Sequence, residues 1–183
     1  AARGGTVVIP AFAVGRTQSI LYHIFQLQQT GAIPDLPVFL DSPMAINVTK
    51  LMQRHQADHR LDPSLCAAVC NAARYVTTPE ESRSLDDGPG VPQVIISASG
   101  MATGGRVLHH LKHFVGDPRN TILFTGFQAA GTRGSRLVHG EDEIKIHGHM
   151  WPVRAQVDIL HNMSAHADYN ETLDWLGHFK APP

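Results

Sequence analysis

Little in this sequence announces a function. Of its 183 residues only two are cysteine, and Cys66 and Cys70 stand four apart in the Ala-rich CAAVC. That spacing puts both on one helix face as small buried apolar groups. No second ligand pair at metal spacing follows, so neither a disulfide nor a metal pair is expected there. No apolar run approaches the roughly 20 residues that cross a bilayer, and the opening AARGG carries no apolar targeting core; the chain reads as cytoplasmic. Charges balance to a formal net −1, which excludes the basic excess of a general polyanion binder. Any recognition of phosphate must be local. There is no internal repeat and no low-complexity linker, and the length suits one ordinary domain.

What the chain does have is three junctions of one build. The run VIIS leads into SASGMATGGR at Ser97 to Arg106, VVIP leads into AFAVGR at Val7 to Arg16, and ILFTG leads into FQAAGTRG at Ile122 to Gly134. Each is a β-type run followed by a Gly-rich turn, an Arg and a helix. Free backbone N–H groups at such a helix start form a natural anion seat, and in an open parallel sheet ligands collect at that edge.

The rest of the pattern agrees. Residues 6–10 form a β-branched run, and residues 14–30 place Ile20, Leu21, Ile24, Phe25 and Leu27 at helical spacing before Gly31. A short strand over 38–40 leads to Asp41-Ser42-Pro43, where Asp41 or Ser42 can cap a helix running to about His55; Asp41 is read as a cap rather than a catalyst. Residues 57–74 read as weakly patterned helix, 74–77 as a short strand, Thr78-Pro79-Glu80-Glu81 as a helix start and 86–92 as a loop. The strand over 94–98 is apolar throughout, as in a sheet covered on both faces. A helix over 105–115, a strand over 121–124 and a helix over 133–138 follow. After Gly140 the apolar residues Ile144, Ile146, Val153, Ala155, Val157 and Ile159 alternate, predicting a hairpin that turns around 147–151. A helix over 170–178 closes the chain, and 180–183 break it. The expected class is α/β: a doubly wound, mostly parallel sheet flanked by helices, then a β-hairpin and a C-terminal helix.

Five segments, PAFAVGRTQ (Pro10 to Gln18), FLDSPMA (Phe39 to Ala45), SASGMATGGR, GFQAAGTRG (Gly126 to Gly134) and MSAHADY (Met163 to Tyr169), occur in order. Together they resemble the β-CASP nucleases of the metallo-β-lactamase fold, the group that includes ribonuclease J and the nuclease of pre-mRNA 3′-end cleavage. The resemblance covers nearly the whole chain. It implies that residues 1–140 are a β-CASP domain and 141–183 an incomplete returning segment of the metallo-β-lactamase and RNA-specificity region. It also implies a metal-dependent ribonuclease, a hydrolase in which two zinc ions activate a bridging water and bind the scissile phosphate. The family's HxHxDH run, its further metal ligands and its motif A acid would precede Ala1, and its motif C His would follow Pro183. No residue of this chain is therefore assigned to metal, and by itself it is expected to bind no zinc and be inactive. His139, in VHGE, looks like motif C but precedes motif B and reads as a surface histidine at a helix end.

Motif B matches Ser164-Ala165-His166. The resemblance implies that His166 acts on the phosphate or leaving oxygen, as general acid or hydrogen-bond donor, and that Ser164 bonds a phosphate oxygen. Taken alone, SAHADY reads equally as a helix start capped by Ser164 or Asp168, with His166 solvated. Arg16 either pairs with a backbone phosphate or starts the first helix beside a carboxylate. Ser99, Gly100, Met101, Gly104 and Gly105 offer a phosphate seat or, alternatively, tight helix-on-sheet packing. Gly131, Thr132 and Arg133 form a second backbone grip or a capped helix with solvated arginines. Twelve histidines invite a metal reading, yet His109, His110 and His113 on a helix and His147 and His149 in a turn make no recognised ligand set and read as surface residues. The partners implied are single-stranded RNA and the N-terminal metallo-β-lactamase portion, with a homodimer as one arrangement and no membrane. The alternative is a stand-alone α/β phosphate- or nucleotide-binding module without catalysis; a protein-docking surface is a third reading.

Overall fold

The computed structural model describes residues 3–87, 91–164 and 166–180. Part of the predicted 86–92 loop, the middle residue of Ser164-Ala165-His166 and the chain-ending 181–183 lie outside the described residues. In chain order the elements are β1 (Val7–Pro10), α1 (Arg16–Gln29), β2 (Val38–Asp41), α2 (Pro43–Arg54), α3 (Pro63–Cys70), β3 (Arg74–Tyr75), α4 (Pro79–Asp86) and β4 (Val94–Ser97). They continue as α5 (Val107–Phe114), β5 (Thr121–Phe124), α6 (Arg133–Val138), β6 (Glu143–Ile146), β7 (His149–Pro152), β8 (Gln156–Ile159) and α7 (Tyr169–Gly177).

Six strands make one sheet in the order β3-β2-β4-β1-β5-β8, every pair parallel. Its central strands are short apolar runs because both faces are covered. Alternation along β1 sends Ile9 into a cluster with Ile20, Leu21, Ile24, Leu40 and Ile46. Val8 points the other way, into one with Leu111, Ile122, Phe124, Leu137 and Ile144. Helices α1, α2 and α3 thus cover one face, and α5, α6 and the hairpin β6-β7 the other. β1 and β4 are neighbours whose following helices lie on opposite faces, so the chain's winding reverses between them. That is the switch point at which an α/β sheet opens a crevice outside its strand ends.

Local chemistry explains most boundaries. Thr78 and Glu81 form the capping box that starts α4, and α2 starts from Ser42, whose side chain accepts the amide of Ala45. Asp41 is therefore not the cap: its carboxylate points into the interior, as described below. The helix expected over 57–74 is a single 3-10 turn at Gln56–Asp58 followed by the eight-residue α3. A new helix begins there because Asp62 accepts the amide of Leu65 at 2.9 Å and Pro63 suits the first turn.

The hairpin is narrower than the alternation suggested. β6 and β7 pair antiparallel around His147-Gly148, both at positive φ, as a two-residue hairpin turn requires. Val157 and Ile159 belong instead to β8, the edge strand beside β5. The Val115 carbonyl takes the amides of Arg154 and Ala155 at 2.8 and 2.9 Å, drawing the chain off the hairpin and back to the sheet. Period-two alternation gives the face of a strand but not which sheet it joins.

Candidate functional site

The loops that leave β1, β4 and β5 meet at one end of the sheet, because these three strands are neighbours. Arg16 opens α1, and its guanidinium lies over Gly126 at the end of β5, where an added Cβ would stand 2.6 Å from Nη1. It has no hydrogen-bond acceptor or carboxylate partner among the described residues. Of the two readings for Arg16, the neighbouring carboxylate is absent.

The loop after β4 is partly filled by its own atoms. The Ser99 hydroxyl accepts the amides of Thr103 at 3.1 Å and Gly104 at 3.4 Å. The Gly100 carbonyl accepts from Gln128 Nε2 at 3.1 Å, and the Met101 carbonyl accepts the Gly134 amide at 3.0 Å. Gly100 and Gly105 are required by packing. A Cβ on Gly100 would meet the Phe12 ring at 2.9 Å, and one on Gly105, at φ 78°, would stand 2.6 Å from the Ala98 carbonyl oxygen. Gly104 faces open space. The amides of Gly105 and Arg106 have no protein acceptor among the described residues and lie at the mouth of α5, where anions are favoured.

Around α6, Thr132 accepts the amide of Ser135 as N-cap, and Gly131 sits at φ 82° in open space. Arg133 is not solvated: its Nε donates to the Lys145 carbonyl at 2.7 Å and its Nη1 to that of Thr103 at 3.2 Å. It ties α6 to β6 and to the β4 loop. At the far end of the chain, Ser164 Oγ accepts the amide of His166 at 3.3 Å, and both residues are at or near the surface. Asp168, with Glu171, caps α7. His166 has no side-chain partner among the described residues.

Behind the β4 loop lies a cluster that the sequence did not reveal. Asp41, wholly buried at the end of β2, receives Arg106 Nη1 at 2.6 Å and Ser82 Oγ at 2.5 Å. His110 Nε2 faces Asp41 Oδ2 at 2.7 Å, and His110 Nδ1 faces Asp86 Oδ1 at 2.6 Å. Only an imidazolium can donate from both nitrogens. Burial alone would push His110 toward neutrality, but the two carboxylates outweigh it and hold its pKa up at about 9. Burial likewise opposes ionisation of Asp41, yet the bonds from His110, Ser82 and Arg106 keep it below the usual carboxylate range. Two cations and two anions, from β2, α4 and α5, thus balance in the interior. His110 is a correction to the surface reading of the histidines. It falls three residues after Val107 and four before Phe114, on the buried stripe of α5, and that spacing was the available signal.

A family model described as Beta-Casp domain matches residues 17–137, and one described as Zn-dependent metallo-hydrolase RNA specificity domain matches residues 150–183. The chain belongs to the β-CASP family of metallo-β-lactamase nucleases. Among similar curated proteins, Ribonuclease TTHA0252 of Thermus thermophilus is 38% identical over 95% of this chain and 41% of its own length. Transcription termination factor FttA of Methanosarcina mazei is 32% identical over 99% of this chain and 30% of its own length. An RNase J-like protein of Methanocaldococcus jannaschii is 34% identical over 98% and 41%. The chain thus spans well under half the length of these β-CASP and related proteins.

Zinc, which the family implies, does not fit this β-CASP chain's own donors: among the described residues no three His, Cys, Asp or Glu side chains gather to hold a metal ion. The histidines that do come together are held by carboxylates or by each other, as where His109 and His147 lie 4.8 Å apart. Cys66 and Cys70 are free and buried, and burial, with Cys66 beside it, pushes the Cys70 thiol up to about 12. A thiol held that far from its thiolate is a poor nucleophile and ligand. Titration with a chromogenic disulfide should find no fast-reacting thiol in the folded chain and two after denaturation; rapid reaction of either in the native state would contradict this packing. No helix among the described residues is long and apolar enough to cross a membrane.

Proposed function

We propose that this chain is the RNA-binding and substrate-clamping portion of a zinc-dependent ribonuclease that hydrolyses phosphodiester bonds in RNA processing. The observation that carries this reading is a set of donors without partners among the described residues at the ends of neighbouring strands: the Arg16 guanidinium at the start of α1 and the Gly105 and Arg106 amides at the start of α5. One planar cation and two backbone N–H groups suit phosphate oxygens. The names of its relatives, ribonuclease and RNase J-like, and the RNA-specificity match support RNA as the polymer. Gly105 is exposed and Gly104 faces open space, and neither they nor Arg16 line the recess of about 390 Å³ beside Ser82, Asp86 and Arg106 or the groove of about 620 Å³ beside Phe39 and Arg74. An open edge admits an extended strand more readily than it encloses a metabolite, which disfavours the stand-alone nucleotide module.

On this reading residues 1–140 are the β-CASP part and 141–183 the returning segment, whose β8 extends the same sheet. The zinc ions would be held by a metallo-β-lactamase portion outside this chain, with which it would share the cleft. His166 would donate a hydrogen bond or proton to the phosphate or leaving oxygen, since imidazole exchanges protons near neutral pH, and Ser164 would bond a phosphate oxygen. Gly131 and Thr132 would add a second backbone grip, with Arg133 holding it in place.

The test is titration of the chain with labelled single-stranded RNA. Weak binding that falls as salt rises is expected, with no hydrolysis when zinc is added. Gly104→Ala, which meets no protein atom, and Arg16→Ala should each weaken binding several-fold without lowering the melting temperature. Tight mononucleotide binding without RNA affinity would favour the stand-alone module, and stoichiometric zinc uptake with cleavage would overturn the clamping role.

A further inference from the structure

Two exposed aromatic side chains stand at the same sheet edge: Phe127, 76% exposed, and Phe12, 48% exposed, in the loops after β5 and β1. These loops are held, not loose. The Phe12 carbonyl accepts the amide and hydroxyl of Thr17 at 3.2 and 2.8 Å, and its ring lies against Gly100. Gln128, next to Phe127, is buried and donates to the Gly100 and Gly126 carbonyls, each at 3.1 Å. Gln128 thus ties the loop that bears Phe127 to Gly100, on which the Phe12 ring lies, and the Arg16 guanidinium, without a partner among the described residues, rests on Gly126. Two exposed aromatic side chains on hydrogen-bonded loops, at the edge where a cation has no carboxylate partner among the described residues, form a candidate surface for a ligand.

We propose that Phe12 and Phe127, with Arg16, form a base-stacking subsite for single-stranded RNA: the rings take the faces of bases and the guanidinium takes a backbone phosphate. The inference rests on the clamping role proposed above and goes further in naming the groups that hold the bases. Nucleic acid fits better than a protein segment because aromatic rings and a cation without a carboxylate partner among the described residues suit bases and phosphates, and the RNA-specificity match supports that polymer. Every base has a π-face, so the subsite would be tolerant of sequence. Val14, also exposed, lies with Phe12 in the loop after β1.

Fluorescence anisotropy with a single-stranded RNA 12-mer, and with the same RNA carrying abasic central positions, tests it. Phe12→Ala and Phe127→Ala should each weaken binding of the normal RNA about tenfold, while Phe127→Tyr retains it and neither alanine variant weakens binding of the abasic RNA further. Arg16→Ala should lower the slope of log affinity against log salt by about one. Thermal melts of the variants control for folding, and Phe127 is exposed enough to be replaced without loss of core packing. Affinity that ignores both rings, or falls equally with abasic RNA, overturns the subsite and leaves the clamping role standing. So does loss of self-association in ultracentrifugation with RNA affinity unchanged, which marks a protein contact. Absence of RNA binding by the unaltered chain removes both.

Discussion

Replacing His110 with alanine should cost about 3–5 kcal/mol of folding stability, the range for breaking a buried ion pair, and should abolish an alkaline decline that the native chain shows. The sign follows from the direction of the shift. His110 is held at about 9 against an ordinary 6.5, so its contribution is fully present below pH 6.5 and disappears as pH rises through about 9. The size of that shift corresponds to roughly 3 kcal/mol, consistent with the mutational range. Asp41 runs the other way: held below its ordinary 3.8, it contributes above that value and loses its contribution as pH falls through the lowered one. Urea denaturation below pH 3.8 reads the Asp41 contribution, and that of the native and His110→Ala chains at pH 6 and pH 9.5 measures the His110 contribution. If the two proteins declined in parallel between these values, the imidazole would not be held charged.

Gly105→Ala should be nearly as damaging, costing about 2–5 kcal/mol, while Gly104→Ala one residue away should stay within about 0.5 kcal/mol. At φ 78° a side chain at 105 enters left-handed backbone, at about 1–2 kcal/mol. Its Cβ would also stand 2.6 Å from the Ala98 carbonyl, the same oxygen that accepts the Val107 amide at 3.2 Å. Overpacking against backbone adds about 1–3 kcal/mol. Gly104 has nothing within 4 Å of its would-be Cβ. Thermal melts of the pair, read beside their RNA affinities, separate the two roles a glycine serves here: Gly105 admits the chain's own backbone, Gly104 leaves room for a ligand. Equal destabilisation by both substitutions would show that the loop is not built this way.

These two predictions concern one device. Arg106, at the mouth of α5, reaches Asp41 and also the carbonyls of Val76 and Thr77 at 3.2 and 3.5 Å. The buried cluster thereby anchors the residue whose amide, with that of Gly105, faces the open edge. Two of the three arginines following Gly-rich turns, Arg106 and Arg133, are committed to the protein itself, and only Arg16 is left for a ligand.

Class and most of the elements were legible in the residues alone. The β-branched run VIIS, the capping box at Thr78, the prolines at helix starts and the glycines after each strand are local signals, and local hydrogen bonds and sterics enforce them wherever the segment sits. The five ordered segments were enough for the family. Which groups remain free depends on contacts between distant segments. A charge is spent or available according to what the fold brings within 3 Å of it, and Asp41 and His110 are 69 residues apart. Asp41 read as a cap because Ser42, beside it, offers the same chemistry, and His110 read as surface because a histidine on an apolar stripe has no local partner. The same distance effect hid the aromatic edge: Phe12 and Phe127 stand at one end of the sheet because β1 and β5 pair in parallel, which the alternation within either strand could not express.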